Sequence, residues 1–511
     1  MIEIFKNIFV FKLTKEKSIV TFILLTGLSF VPIFYKLSAP AINNWDEAFY
    51  AVNSAETTFK NNLIVLTEHG IVSHFNSKPP FVIWMQSALM HLIGMSELSV
   101  RLPSAIATFV IVIALFFFGT GFFGSITAGF TASMIFLTAD GFITAHVART
   151  GDLDAMVSMW IVLYCFIYIK FLSGHAVEYS RIFYLTGFLV TMAFLSKSIA
   201  GFMPLPGIVI CTLLSGKRKK ILSNQHLYYS AIGTVTVCVS FYLLREYLSP
   251  GYLKMVWNSE ILRFNNNITP WHAHPPLWFV NRFIDETFLP YIYILPAAIL
   301  AGLTYPDKKV KSVTLYLTIC CISYLFLISF PEDKLGWYDA PLYPFFSLLI
   351  GILFFIVYQY LLKLLKGKKI AVRIIIFCMM IALFYKPYRY IYNKVEKYSN
   401  QYNLGDPEAD YAKKIYAEGF NFNYKIFYTQ PAGNNSLQLY FYKKAYEYNK
   451  NIAIDICDSI SQFKINDTIM VCQLSKKNEL SKQYGFNVIN QWNNCLLIII
   501  NKVKNPSSSF P

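Results

Sequence analysis

Long apolar runs decide what this chain can fold into. A bilayer crossing needs about 20 largely apolar residues in helical form. Stretches of that kind recur near 19–37, 102–119, 122–139, 153–172, 182–195, 199–215, 227–247, 289–303, 313–330, 341–362 and 370–387. The run FVIWMQSALMHLIG, 81–94, is short for a crossing and reads as a re-entrant or interfacial helix. Composition points the same way: of 511 residues, 55% are hydrophobic and 14% charged, against about 25% charged in a soluble chain. The expected fold class is an α-helical polytopic membrane protein. The first run is too long for a cleavable signal and no small-residue cleavage site follows it, so none is expected.

Charge then orients the spans. Lys6, Lys12, Lys15 and Lys17 place the N-terminus in the cytoplasm. Counting crossings from there brings GKRKK (216–220), DKKVK (307–311) and KLLKGKK (363–369) to the same side. The opposite side receives 38–101, 140–152, the turn at 196–198, 248–288, 331–340 and the tail. Lys and Arg exceed Asp and Glu by 45 to 29. With no basic soluble module in sight, that excess reads as loop orientation and excludes a nucleic-acid partner.

The sequence changes character near 388. KIFYTQ, IAIDIC, DTIMVCQ and CLLIIINK read as strands, SLQLYFYKKAYEY and KKNELSKQYG as helices. We therefore expect a membrane domain over 1–387, with the first external loop at 38–101, and a small extracytoplasmic α/β domain over 388–511. The closing NPSSSFP reads as disordered. Cys165, Cys211, Cys238, Cys320, Cys321 and Cys378 lie in apolar runs and read as core residues. Cys457, Cys472 and Cys495 lie in the tail, where a disulfide requires an oxidising compartment.

The unusual polar residues gather on the outer side. In NNWDEAFYAV (43–52), Asp46 and Glu47 open a stretch whose apolar residues recur at helical spacing. It reads as an amphipathic helix lying in the interface, with Asp46 as a helix cap or as a functional carboxylate. Lys78 precedes two prolines in SKPPF, either as a phosphate ligand or as a snorkelling boundary residue. Arg101 reads as a boundary residue. Arg149, Asp152 and Asp154 head a span, where carboxylates are costly unless paired, hydrated or functional. Lys197 interrupts an apolar hairpin. Arg263, His272 and His274 share one loop, and HxH alone is thin support for zinc. Lys334, Trp337, Tyr338 and Asp339 stand at the mouth of a later span. A transporter of glycolipids is the alternative, but transporters tend to bury such groups at mid-membrane on broken helices. Charged groups at span ends suit an enzyme whose substrate has a lipid tail and a polar head.

In order, WDEAFYA, SKPPFVIW, VRLPSA, LDAM, LSKSIAG, RF with a following histidine and PPLWF, and DKLGWYDAPLYP resemble the GT-C type polyprenyl-phosphate-sugar transferases. The resemblance covers about 1–390. Its nearest branch is the bacterial lipid A aminoarabinose transferase with related protein-mannosyltransferase-like proteins. It implies a hexosyl or pentosyl transfer, with inversion, from a polyprenyl phosphate donor to a lipid, glycan or protein at the outer face. A bacterial inner membrane and undecaprenyl phosphate are the default setting. Asp46 is the expected catalytic carboxylate, with Glu47 beside it as a second catalytic group or a support for the loop. Lys78 and Tyr338 match donor-phosphate positions, and Arg263 and Lys334 are expected helpers. Asp154, Lys197, Tyr50 and His274 are expected at the substrate. No cofactor is expected to be required, with a divalent metal as the lesser alternative, and no metal site is assigned. Three departures stand out. Phe49 replaces the arginine of DExRYA, Ser77 replaces the glutamate of EKPP, and Ser196-Lys197-Ser198 replaces a TKG-like turn.

Overall fold

In the computed structural model, the described residues are 16–60, 62–73, 76–144, 146–174, 178–262, 272–400, 407–429 and 437–504. Arg263 and the closing NPSSSFP lie outside them. The described chain is mainly helical and divides into two compact units. One contains 1–35, 73–82 and 103–396; the other contains 36–72, 83–102 and 397–511.

The first unit is helical. Its principal helices are α1 (Glu16–Ile33), α4 (Glu97–Phe123, from Pro103 onward), α5 (Ile126–Leu137), α6 (Asp154–Leu172), α7 (Tyr179–Lys197), α8 (Leu205–Leu214), α9 (Gln225–Leu248), α10 (Leu295–Thr304), α11 (Lys308–Ser329), α12 (Leu342–Leu364) and α13 (Lys369–Asn400). Among the described residues, seven helical stretches are long and apolar enough to cross a membrane, those of α4, α6, α7, α9, α11, α12 and α13. Shorter apolar helices occupy the four remaining positions read as spans, and α3 (Phe81–Ile93) occupies the short run. The protein is an integral membrane protein.

α6 is apolar all round and buried almost throughout, which makes it a central helix. α7 packs on it, α9 packs on α7, and α12 packs on α5. Helices approach closely where small residues meet. A Cβ on Gly129 of α5 would lie 2.3 Å from the Phe116 carbonyl oxygen of α4, a spacing only glycine permits. Side chains fix some helix starts: Asp307 accepts from the Lys309 and Val310 amides of α11, and Asn224 from the His226 amide of α9.

The second unit is built from two early segments and the tail. It holds α2 (Asp46–Lys60), a two-residue ladder of β1 (Thr67–Glu68) with β2 (Ile71–Val72), most of α3 and the first turn of α4. The tail adds α14 (Pro407–Ala417), α15 (Leu437–Lys450), α16 (Leu474–Gln483) and a five-stranded sheet. The strands are β3 (Tyr424–Phe427), β4 (Ile454–Cys457), β5 (Thr468–Val471), β6 (Tyr484–Trp492) and β7 (Cys495–Val503), in the order β4-β3-β5-β7-β6. β3 runs parallel to β4 and β5, whereas β7 is antiparallel to β5 and β6. A disulfide joins Cys472, just past β5, to Cys495 at the start of β7.

α2 corrects one expectation. It is a helix, but not one lying in a membrane interface with its polar face in solvent. Eleven of its fifteen residues are buried, including Asn53, Ser54, Glu56, Thr57 and Thr58. Ala48, Val52 and Ala55 share a core with Leu439, Tyr442 and Tyr446 of α15. The polar residues are paired: Ser54 Oγ donates to Gln86 at 2.6 Å, and the Tyr440 hydroxyl donates to Glu56 at 2.9 Å. Hydrogen bonding of this kind is what makes a buried polar face tolerable.

Candidate functional site

Asp46 and Glu47 are neighbours in sequence with opposite environments. Trp45, held in a left-handed conformation (φ 66°), turns the chain into α2 and is itself exposed. Its amide bonds the Asn44 side chain at 2.9 Å, a local turn bond. Asp46 follows as the first residue of the helix, half-buried. Among the described residues its carboxylate makes no hydrogen bond or ion pair.

Glu47 is fully buried, and so is its partner Arg101 (0% exposed each). Arg101 Nε donates to Glu47 Oε1 at 2.6 Å and Nη2 to Oε2 at 2.9 Å. The Asn43 amide and side chain add bonds of 2.7 and 2.8 Å. Arg101 also donates to the carbonyls of Leu37, Pro40 and Ala41. It is therefore not a snorkelling boundary residue; it ties the start of the first loop to the start of α2. The signal in the sequence was a guanidinium in the first turns of a long apolar helix, on the side that holds the carboxylates.

Phe49, in the place of a familial arginine, is buried in the core, with its ring 5.6 Å from that of Tyr50 in an edge-on pair. Tyr50 is half-buried against the same core.

In the helical unit, the two prolines after Lys78 hold a short extended turn ahead of α3. Lys78 forms an ion pair with Glu260. Ser77 Oγ donates to Glu260 at 2.7 Å, and the Tyr252 hydroxyl donates to the Ser77 carbonyl at 2.8 Å. Burial pushes the Tyr252 phenol up, so it acts as a neutral donor. Arg245, near the end of α9, is 2% exposed and donates to the Ser73 carbonyl. Glu260 and Arg245 were not singled out from sequence. Arg245 could have been, as a cation at the outer end of a span.

A chain of contacts runs on from this turn. Tyr252 packs beside Tyr242, whose hydroxyl bonds Ser198 Oγ at 2.7 Å. Ser198 has a φ of 54°, the region glycine favours, where a TKG-like turn would have its glycine. The preceding Lys197 pairs with Asp154 at 2.5 Å and lies 5.4 Å from the centre of the Tyr338 ring. The structure thus brings Asp154, Lys197 and Tyr338 together. Arg282, absent from the expected set, adds to the same mouth. It donates to the Gly336 carbonyl at 2.5 Å, lies 3.4 Å from Asp339 and stacks on Trp278 at 4.8 Å.

Lys334 is 2% exposed, and its ammonium bonds the carbonyls of His274 and Pro331 at 2.7 and 2.5 Å. It pins the bridge between Ala273 and Asp333. The His274 ring stacks on Trp278 at 4.0 Å. Burial and then the Lys334 charge draw its pKa below the ordinary value, favouring a neutral imidazole. Among the described residues no group of three or more His, Cys, Asp and Glu is arranged to hold a metal.

Comparison with known proteins gives a consistent set of likenesses. Residues 77–244 match the family model described as dolichyl-phosphate-mannose-protein mannosyltransferase. The undecaprenyl phosphate-alpha-4-amino-4-deoxy-L-arabinose arabinosyl transferase of Aeromonas hydrophila is 26% identical over 326 residues, 63% of this chain and 58% of that protein. That of Yersinia enterocolitica is 23% identical over 60% of this chain and 54% of its own length. The chain thus spans little more than half the length of these curated relatives. The crystal structure of ArnT from Cupriavidus metallidurans bound to undecaprenyl phosphate superposes with a TM-score of 0.67 at 15% identity, covering 94% of this chain and 98% of that one. The archaeal oligosaccharyltransferase AglB from Archaeoglobus fulgidus superposes at 0.54 with 13% identity, covering 86% and 64%.

Proposed function

We propose that this chain, a relative of the GT-C type polyprenyl-phosphate-sugar transferases, moves a sugar from a polyprenyl phosphate to an acceptor at the outer face of a bacterial inner membrane. The observation that carries the reading is the contrast between Asp46 and Glu47. One carboxylate is unengaged at a helix start, and its neighbour is wholly spent on holding the loop. An acceptor hydroxyl or amine attacks the anomeric carbon while Asp46 takes its proton. The bond from that carbon to the phosphate oxygen breaks, with inversion. The phosphate leaves on its lipid with an added negative charge, and a cation at that oxygen stabilises the transition state. Lys78 is assigned that part. Of the two roles expected for Glu47, catalytic group or support for the loop, we take the second, exerted through Arg101. Lys334, with its ammonium bonded to two carbonyls, is read as a clamp rather than a phosphate ligand. Asp154, Lys197 and Tyr338 are assigned to the sugar and its phosphate.

The tail is assigned to the outer side, and the Cys472–Cys495 disulfide supports that orientation because such bonds persist in oxidising compartments. In intact cells, a membrane-impermeant maleimide should label these two cysteines only after reduction. Labelling that requires permeabilised cells would contradict the orientation. The function itself is tested by mass spectrometry of surface lipids and glycans in cells lacking this chain. One missing sugar is the expected result and identifies donor sugar and acceptor together; an unchanged profile opposes the reading.

A further inference from the structure

Glu260 takes no part in the transfer as written, yet its placement is costly. It stands on a wide π-type turn, Trp257–Ile261, a rare helical form that is frequent at functional sites. Its carboxylate is 6% exposed, paired with Lys78 and bonded by Ser77 Oγ. Near the end of α9 Arg245 is buried, its guanidinium 5.0 Å from the centre of the Tyr252 ring, and its Nη1 has no hydrogen-bond partner among the described residues. A buried donor left unmade calls for a ligand or another explanation. Arg245 thus sets a second cation against Tyr252, whose hydroxyl bonds the Ser77 carbonyl.

We propose that Glu260 is a resident counter-ion that competes with the lipid phosphate for Lys78. The donor's phosphodiester displaces it, and its return helps to expel the product. This rests on the lipid-phosphate reading above. The donor's phosphodiester carries one negative charge. The polyprenyl phosphate left after transfer is a phosphomonoester of about −1.5 to −2 near neutral pH. The buried carboxylate of Glu260 repels that extra charge. Glu260 thus acts through Lys78 as a positioning residue, weakening the grip on the product more than on the donor.

The test uses the full chain in detergent, with undecaprenyl phosphate as the probe. Glu260→Gln should tighten its binding by about threefold to tenfold, the range for a close charge pair that is not wholly buried. In turnover the same variant should lower both KM for the donor and kcat, because release slows. Glu260→Asp keeps the charge and should behave as the wild type. Lys78→Ala should weaken binding and erase the effect of Glu260→Gln. A merely structural Glu260 would not produce tighter binding, so equal or weaker binding by a folded Glu260→Gln overturns the inference. A second readout needs no lipid. The carboxylate is paired with Lys78, so acylation of Lys78 by a water-soluble ester should quicken a fewfold in Glu260→Gln; an unchanged rate also overturns it. If Lys78-dependent binding is present and only the tightening is missing, the inference falls alone. If the wild type binds no undecaprenyl phosphate, the functional reading falls with it.

Discussion

Asp46→Asn should abolish transfer while leaving the protein folded. Asparagine is isosteric with aspartate and is equally at home at a helix start, so α2 keeps its first turn. No ion pair is broken, since the Asp46 carboxylate has none among the described residues. What is lost is a base for the acceptor's proton, an effect on the order of 10²–10⁴ in rate. The expected result is a monodisperse variant with a wild-type thermal midpoint and turnover reduced by at least that lower figure. Turnover within a few-fold of wild type would remove Asp46 from the chemistry. Glu47→Gln is the control, because it should fail differently, through stability rather than through the chemical step.

The largest effect on stability should come from Arg101→Leu. It strands the Glu47 carboxylate in the interior and removes the donors to the Leu37, Pro40 and Ala41 carbonyls. Breaking one side of a buried pair typically costs about 3–5 kcal/mol, because the remaining charge stays buried without compensation. The double variant Glu47→Leu, Arg101→Leu removes both charges and should recover part of that loss, as apolar replacements of buried pairs often do. Thermal unfolding of the wild type and these two variants checks the ordering. An Arg101→Leu protein as stable as wild type would mean that the pair does not hold the loop.

Much of the architecture was legible because apolar runs of membrane length leave few alternatives. Each run read as a span holds a helix, although α5, α8 and α10 are short ones within the bundle. In the tail, strong apolar alternation marked β3, β4, β5 and β7. β6 was missed because YGFNVINQW is polar at many positions and follows a helix-forming stretch. α14 was missed because PEADYAKKIYA has a single large aliphatic residue, Ile415, although Ala409, Tyr411, Ala412 and Ile415 are buried. The burial of α2 was not legible, since its polar face is matched by Gln86 and Tyr440 from distant segments. The site was readable where an odd residue broke an apolar context, as with Lys78, Asp154 and Lys197. It was not readable where the meaning lies in a partner far along the chain, as with Glu260 for Lys78 and Arg101 for Glu47.

The central claim is that a sugar leaves its polyprenyl phosphate on this chain. The most direct measurement is mass spectrometry of the lipid after incubating purified protein in vesicles with polyprenyl phosphate sugars extracted from its own cells and an extract of the cell envelope as acceptor. The account predicts loss of one lipid-linked sugar and appearance of polyprenyl phosphate in matching amount, with wild type and not with Asp46→Asn. Recovery of every lipid-linked sugar intact, or its movement across the vesicle membrane without cleavage, would contradict it.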